Sequence, residues 1–270
     1  MDYQLLALDL DGTLTNSEKK ISKATLDALI KIQKQGKKVV LASGRPTIGV
    51  LPLAGQLRLA DYGGYMLSFN GARITDCQSG QLIYNRQLPD DIVSPLFHII
   101  KKYSGIDILA YREDAILSGL KINEYTELEA RINHIPIESI PNFEEQITEP
   151  GNKLLVTGAP PIIELIRQEA RASFRSYLNI YCSEPFFLEI MPAGIDKAHS
   201  LLKLLTSVGL SAGEMICCGD GYNDLTMIET AGLGVAMANA QPAVKEKADY
   251  ITKSNDEDGI LQVINEFMLV

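Results

Sequence analysis

Tyr3-Gln4-Leu5-Leu6-Ala7-Leu8-Asp9-Leu10-Asp11-Gly12-Thr13 is an apolar run that ends in two carboxylates and a glycine. An apolar run of this kind reads as a buried strand of a parallel sheet. Residues two apart on an extended chain project to the same side, so Asp9 and Asp11 share one site as long as strand geometry lasts to Asp11. Two carboxylates that close repel unless a cation lies between them or one of them holds a proton. Both conditions suit phosphoryl transfer, with one aspartate as nucleophile, the other as acid/base, and a magnesium ion alongside. The competing reading is a plain strand-end turn, where Asp and Gly are common. Position favours the catalytic reading, because open α/β sheets bind their ligands at the C-terminal ends of strands.

The residues that follow alternate helix and strand. Ser22 is placed to cap a helix with an apolar stripe at Leu26, Leu29, Ile30 and Ile32, and Gly36 ends it. Lys38 to Ala42 reads as a second strand, closed by Ser43-Gly44-Arg45-Pro46, with Pro46 in the first turn of the next helix. Tyr65 to Phe69 reads as a third strand ending at Asn70-Gly71. This order predicts a parallel sheet with right-handed crossovers. Arg73 to Leu88 reads as a hairpin turning at Ser79-Gly80. From Pro89 to about Pro185, short strands, helices and proline-bearing loops suggest a separate α+β module inserted into the first. Alternation resumes near Phe187-Leu188-Glu189-Ile190, with a helix from Lys197 to Val208, a strand at Met215 to Cys218 and a helix from Asn223 to Ala231.

A chain of 270 residues is long enough for one large domain or a core plus an insertion, and 46% hydrophobic with 22% charged residues is ordinary for a globular protein. The formal net charge of −9 argues against nucleic acid as the main partner, since phosphate backbones need a basic surface. An anionic substrate therefore has to be drawn by a local cation or lysine. Cys77, Cys182, Cys217 and Cys218 form no CxxC pair and read as buried free thiols of a reducing compartment. His98, His134 and His199 show no metal-ligand spacing. The start of the chain lacks the basic region of a secretory signal, and no apolar run reaches ~18 residues, so a cytoplasmic protein with no membrane span is expected.

Four strand ends carry polar residues able to converge. Ser43 offers a hydroxyl to a phosphate oxygen, or a helix cap before Pro46. Asn70 offers an amide to a substrate, or makes a turn. The Met215 strand delivers Asp220, with Asn223 and Asp224 beyond it. Magnesium takes an oxygen shell and keeps several waters. Asp9, Asp220 and the Asp11 backbone carbonyl can supply its protein ligands, with Asp224 orienting Asp220 or accepting from ligand waters. For Asn223 and Asp224 the competing reading is helix capping. Lys197, in a first helical turn, opposes the helix macrodipole, and an anion in the pocket would explain it.

Taken in order, Asp9-Leu10-Asp11-Gly12-Thr13, Ser43-Gly44-Arg45-Pro46, Lys197 and Gly219-Asp220-Gly221-Tyr222-Asn223-Asp224 resemble the four motifs of the haloacid dehalogenase-like phosphatases. Phe69 to Ala72, Phe187 to Ile190, Gly234 to Ala240 and Thr252 to Gly259 further resemble the Cof-type members of subfamily IIB, the YidA-like sugar phosphatases above all. The resemblance implies a Rossmann-like three-layer α/β core with a central parallel sheet and an inserted type IIB α+β cap. The expected division is residues 1–81 and 187–270 for the core and 82–186 for a cap that sets substrate specificity.

By the same resemblance, Asp9 is the nucleophile and Asp11 the general acid/base. Ser43, Gly44, Arg45, Asn70, Lys197 and Asn223 bind phosphate or substrate. Mg²⁺ is the cofactor, held by Asp9, the Asp11 carbonyl and Asp220, with Asp224 behind them. The expected substrate is a small phosphate ester such as a sugar phosphate, with Arg112 and Glu184 as further candidates to touch its leaving group. Monomer and homodimer are both compatible. A sugar-phosphate mutase is the main rival, but such relatives carry a cap soon after the first motif, and Leu14 to Ile21 is too short for one. Metal-free dehalogenation leaves Asp11, Asp220 and Asp224 without a task. A sugar-phosphate sensor is disfavoured because no catalytic position is missing.

Overall fold

Leu5 and Ala7 of the opening strand (Leu5–Leu8) join one hydrophobic cluster, while Leu6 and Leu8 join another. Successive side chains of a strand face opposite ways, so this strand is covered on both faces. The helix Lys197–Val208 supplies Ala198, Leu201, Leu204 and Leu205 to the first cluster. The helices Lys23–Lys34 and Gly259–Phe267 supply Leu29, Ile32, Ile260 and Val263 to the second. The result is the three-layer α/β arrangement expected from the sequence.

The computed structural model describes residues 2–269 and divides into two compact units, one of residues 1–84 with 196–270 and one of residues 85–195. In the first unit, eight strands run in the spatial order Tyr250–Ile251, Leu233–Ala236, Met215–Gly219, Leu5–Leu8, Lys38–Ala42, Tyr65–Ser68, Arg73–Asp76, Leu82–Asn85. The first six are parallel, and Arg73–Asp76 runs antiparallel to Tyr65–Ser68. The parallel sheet is thus extended at one edge by the hairpin read in the sequence. Ser22 caps the first long helix by accepting from the Thr25 amide, a bond worth about 1 kcal/mol. Pro46 is the cap residue itself, and its helix starts at Thr47.

The second unit has six strands in the order Leu178–Glu184, Phe187–Pro192, Leu154–Thr157, Asp107–Tyr111, Ile116–Ser118, Ile137–Ser139. The helices Val93–Ile100 and Pro160–Phe174 cover one face through Leu96, Ile100, Ile163 and Ile166. The helix Glu124–Asn133 instead buries polar groups: Thr126 donates to the buried Asp107 carboxylate at 3.0 Å, and Glu129 accepts from the Tyr111 hydroxyl at 2.7 Å.

Two expectations are corrected here. The strand Phe187–Pro192 does not reopen the first unit. It pairs antiparallel with both Leu178–Glu184 and Leu154–Thr157, so the boundary falls after Ile195 and not at Phe186, and the earlier boundary falls after Tyr84. The cysteines are all free, but only Cys217 and Cys218 are buried; Cys182 is exposed and Cys77 half-buried. Cys217 and Cys218 point to opposite faces of the sheet, in separate clusters. Among the described residues no helix is long and apolar enough to cross a membrane.

Candidate active site

The strands Leu5–Leu8 and Met215–Gly219 lie side by side and parallel. The chain leaves the first toward Lys38–Ala42 on one side and the second toward Leu233–Ala236 on the other. Such a switch in direction opens a crevice beyond the strand ends, where α/β sheets place ligands. Asp9 follows the first strand, its amide donating to Cys218 O at 3.0 Å, and Asp220 follows the second. Between them passes Gly12 at φ +86°, where a Cβ would fall 2.4 Å from Asp220 Oδ2. Gly12→Ala is therefore expected to lose about 1–3 kcal/mol of stability, read by thermal melting. A variant matching the parent would show that the approach is not needed.

Lys197 joins the two sides. Its ammonium donates to Asp9 Oδ1 and to Asp224 Oδ1, both at 2.6 Å, and the residue is 0% exposed. Asp224 Oδ2 accepts from the amides of Asp220 and Gly221 at 3.0 and 2.9 Å, so Asp224 fixes the turn that carries Asp220. Thr13 donates to Asp220 Oδ1 at 2.7 Å. Oδ2 of Asp9 and Oδ2 of Asp220 have no hydrogen-bond partner among the described residues.

Carboxylate oxygens of Asp9, Asp220 and Asp224 lie within 4.8 Å of one another. Three carboxylates against one ammonium leave two negative charges. Burial, and then the charge of Asp224, hold the Asp9 carboxyl well above its ordinary range despite Lys197. Burial also pushes Asp220 up, to about 6, against the Thr13 hydrogen bond. Burial works against the Lys197 ammonium, but Asp224 and Asp9 overcome it and raise its pKa. Hard oxygen donors close together, two of them carboxylate oxygens with no partner among the described residues, fit a divalent cation.

Asp11 is not part of this group. The strand ends at Leu8 and the chain turns through Leu10. Arg45 grips it with Nε on Oδ2 at 2.7 Å and a second guanidinium nitrogen on Oδ1 at 2.6 Å, and Lys19 Nζ adds a contact to Oδ1 at 2.8 Å. Burial would raise its pKa, but Arg45 and then Lys19 outweigh that and keep it lowered. The strand stops at Leu8, so strand alternation does not set where Asp11 points; the two carboxylates share no hydrogen-bond partner among the described residues, while the Asp11 charge still helps to raise Asp220.

Ser43 is buried at the end of its strand, its Oγ accepting from the Arg45 amide at 3.1 Å. Phe69 and Asn70 both hold left-handed backbone, φ 52° and 51°. Their amides donate to the Arg45 and Ser43 carbonyls at 3.0 and 2.9 Å, which compensates the strain and clips the two loops together. A Cβ on Gly44 would lie 3.1 Å from the Asn70 amide, so glycine lets that side chain settle against the backbone. Asn223 Nδ2 donates to Asn70 Oδ1 at 3.1 Å.

The first unit thus gathers Asp9, Asp220, Asp224 and Lys197 in one cluster, and links Ser43, Gly44, Asn70 and Asn223 in a second set of contacts. Arg45 is engaged with Asp11. Lys197 lies between two carboxylates instead of opening from a helix end. Asn223 sits in a short 3-10 turn, Tyr222–Asp224, before a helix that starts at Leu225. Arg112 and Glu184 belong to the second unit, where Arg112 is paired with Asp114 and Glu138 and Glu184 is exposed. Sequence reasoning gave no role to Thr13, Lys19 or Asn239, whose amide donates to Gly12 O at 2.8 Å. Thr13 and Asn239 stand inside quoted motifs, so a signal was present for both.

The family profile described as haloacid dehalogenase-like hydrolase matches residues 6–264. The chain is 31% identical over 271 residues to the 5-amino-6-(5-phospho-D-ribitylamino)uracil phosphatase YcsE of Bacillus subtilis, covering 100% of this chain and 97% of that one. The crystal structure of a haloacid dehalogenase-like hydrolase from Bacteroides thetaiotaomicron superposes with a TM-score of 0.94 at 44% identity, covering 98% of this chain and 99% of the other. The subclass IIB sugar phosphatase BT4131 superposes with a TM-score of 0.82 at 27% identity, covering 98% of each chain.

Proposed function

Because the chain belongs to the haloacid dehalogenase-like hydrolases and is a phosphatase of that family, we propose that it hydrolyses small phosphate esters of sugars and related polyols through an aspartyl-phosphate on Asp9. The observation that carries the mechanism is the buried Asp9–Lys197–Asp224 cluster at the strand crossover, with one Asp9 oxygen left without a hydrogen bond among the described residues. The substrate class is supported by two relatives whose names specify a sugar phosphatase and a phosphoribityl phosphatase.

Asp9 attacks phosphorus, and the bond from phosphorus to the ester oxygen breaks. Asp11 must first take up a proton against the pull of Arg45 and Lys19; it then gives that proton to the departing alkoxide and afterwards regains one from the water that attacks the aspartyl-phosphate. That second step releases inorganic phosphate and restores both carboxyl groups. Lys197 and the hydroxyl of Ser43 supply donors for phosphoryl oxygens, with Asn223 beside them, where charge must be stabilised throughout. Mg²⁺, held by Asp9, Asp220 and the Asp11 carbonyl, would neutralise negative charge shared by Asp9 and the phosphoryl group. Asp224 keeps the Asp220 turn in place. The unit of residues 85–195 would be the cap that selects the leaving group.

A panel of phosphate esters, run with and without Mg²⁺ after chelation, tests these points together. Phosphate release is expected to vanish in chelator and to return with Mg²⁺. kcat/KM is expected to be highest for phosphorylated sugars and sugar alcohols. Undiminished rates after chelation would remove the cation from the reading. Ratios within about tenfold across the panel, ~1.4 kcal/mol in differential transition-state binding, would make the enzyme a generalist.

A further inference from the structure

Lys19 reaches the Asp11 carboxylate from a turn that is held unusually tightly for an exposed loop. The residue is left-handed at φ 60°, a conformation disfavoured for a side chain with a Cβ. The Asn16 side chain accepts from the amides of Glu18 and Lys20, both at 3.0 Å. The Asn16 amide also donates to Lys20 O at 3.0 Å, and the Lys19 amide donates to Asn16 O at 2.8 Å. The turn presents the ammonium to Asp11 Oδ1, although the Lys19 side chain remains 59% exposed.

A second segment, far away in sequence, braces this turn. Asp256 accepts from the Ser17 amide at 2.8 Å and from the Ser17 hydroxyl at 2.6 Å. Next to it, the Asn255 side chain donates to Thr15 O at 2.9 Å. The Asn255 amide in turn donates to Asn239 Oδ1 at 3.1 Å, and Asn239 Nδ2 holds Gly12 O. The loop that begins at Gly12 and ends at Lys20 is therefore clipped at Gly12, Thr15 and Ser17 by Asn239, Asn255 and Asp256. Most of these bonds are at the surface, where each contributes little to global stability. Stability alone does not explain so many on one short turn.

Arg45 sets the plane of the Asp11 carboxylate by its two-point grip. Lys19 adds a donor from the opposite loop, and among the described residues three N–H groups hold a carboxylate that is 36% exposed and open to competing water. Proton delivery to a leaving group is sensitive to placement: an error of about 1 Å can cost on the order of 100-fold in rate. We propose that Lys19 is a positioning residue for Asp11, and that Asp256 holds the turn that delivers it.

This inference rests on the acid role given to Asp11 above, and the experiment separates the two. kcat/KM is measured for an alkyl phosphate, a hexose 6-phosphate, and for p-nitrophenyl phosphate, whose leaving group departs without a proton. Asp11→Asn is expected to lower the alkyl-to-aryl ratio by about 100-fold. Lys19→Met should lower it about tenfold, Lys19→Arg should bring it back to within about threefold of the parent, and Asp256→Ala should lower it more than threefold. A parental or raised ratio in Lys19→Met or in Asp256→Ala, with Asp11→Asn showing its loss, overturns the inference. A parental ratio in Asp11→Asn itself removes the acid role, and the inference with it.

Discussion

Asp9→Asn abolishes phosphate release, by about 10⁴-fold or more, and leaves a folded protein. The carboxamide matches the carboxylate in shape and its oxygen can still accept from Lys197, so the packing around residue 9 is kept. What it loses is the anionic nucleophile. The stability of this variant has a sign of its own. The Asp9 carboxyl of the metal-free protein is raised by burial and by Asp224, so the folded state holds its proton more tightly than the unfolded chain does. Stability then falls as pH rises from the ordinary carboxylate range through the raised value, so ionising Asp9 is a net burden on the fold. Asparagine removes that burden. The metal-free variant is expected to melt at or above the parent at pH 7, and to lose less stability than the parent as pH rises above the ordinary carboxylate range. Near-parental turnover of p-nitrophenyl phosphate would rule out Asp9 as the nucleophile. A variant that melts well below the parent would contradict the charge balance described for the cluster.

How far this site could be read in advance depended on distance along the chain. The strand leading to Asp9 and the helix Lys197–Val208 follow from local patterns, apolar runs and 3.6-residue stripes, and both lie where the sequence puts them. The pairing of Asp11 with Arg45 joins loops 34 residues apart and depends on how sharply the chain turns after Leu8. No period in the sequence reports that turn. Phe187–Pro192 shows the same limit in the fold. Six buried residues in a row fit either a strand of the parallel sheet or the middle of an antiparallel one. Only two residues, Pro185 and Phe186, separate it from Leu178–Glu184, which is a hairpin spacing and was the available clue. The motif from Thr252 to Gly259 was visible as a likeness but mute about its task, because Asp256 and Ser17 are 239 residues apart.

Lys197→Met is expected to have the largest effect on stability of any single change in the site. The methionine roughly fills the same space, but the change removes the cation that bridges Asp9 and Asp224, both of them buried. Breaking a buried ion pair by deleting one partner typically costs about 3–5 kcal/mol, since the remaining charge has lost both water and counter-ion. Here two carboxylates lose it together, with Asp220 close by. Arginine is a poor substitute, because its planar fork does not fit a position built for a compact ammonium. The deficit has a direction in pH. Lys197 lowers the Asp9 pKa, so without it that carboxyl rises further above its unfolded value. The folded state then gains stability as pH falls through the new value toward the ordinary carboxylate range, and the gap to the parent narrows. A divalent cation should narrow it as well, by restoring positive charge among the same oxygens, whereas phosphate release should stay low because the phosphoryl group has lost a donor. Melting curves of parent and variant at pH 5 and pH 7, each with and without Mg²⁺, read all of this at once. Equal stability of the two metal-free proteins at pH 7 would show that the buried contacts of Lys197 contribute nothing to the fold.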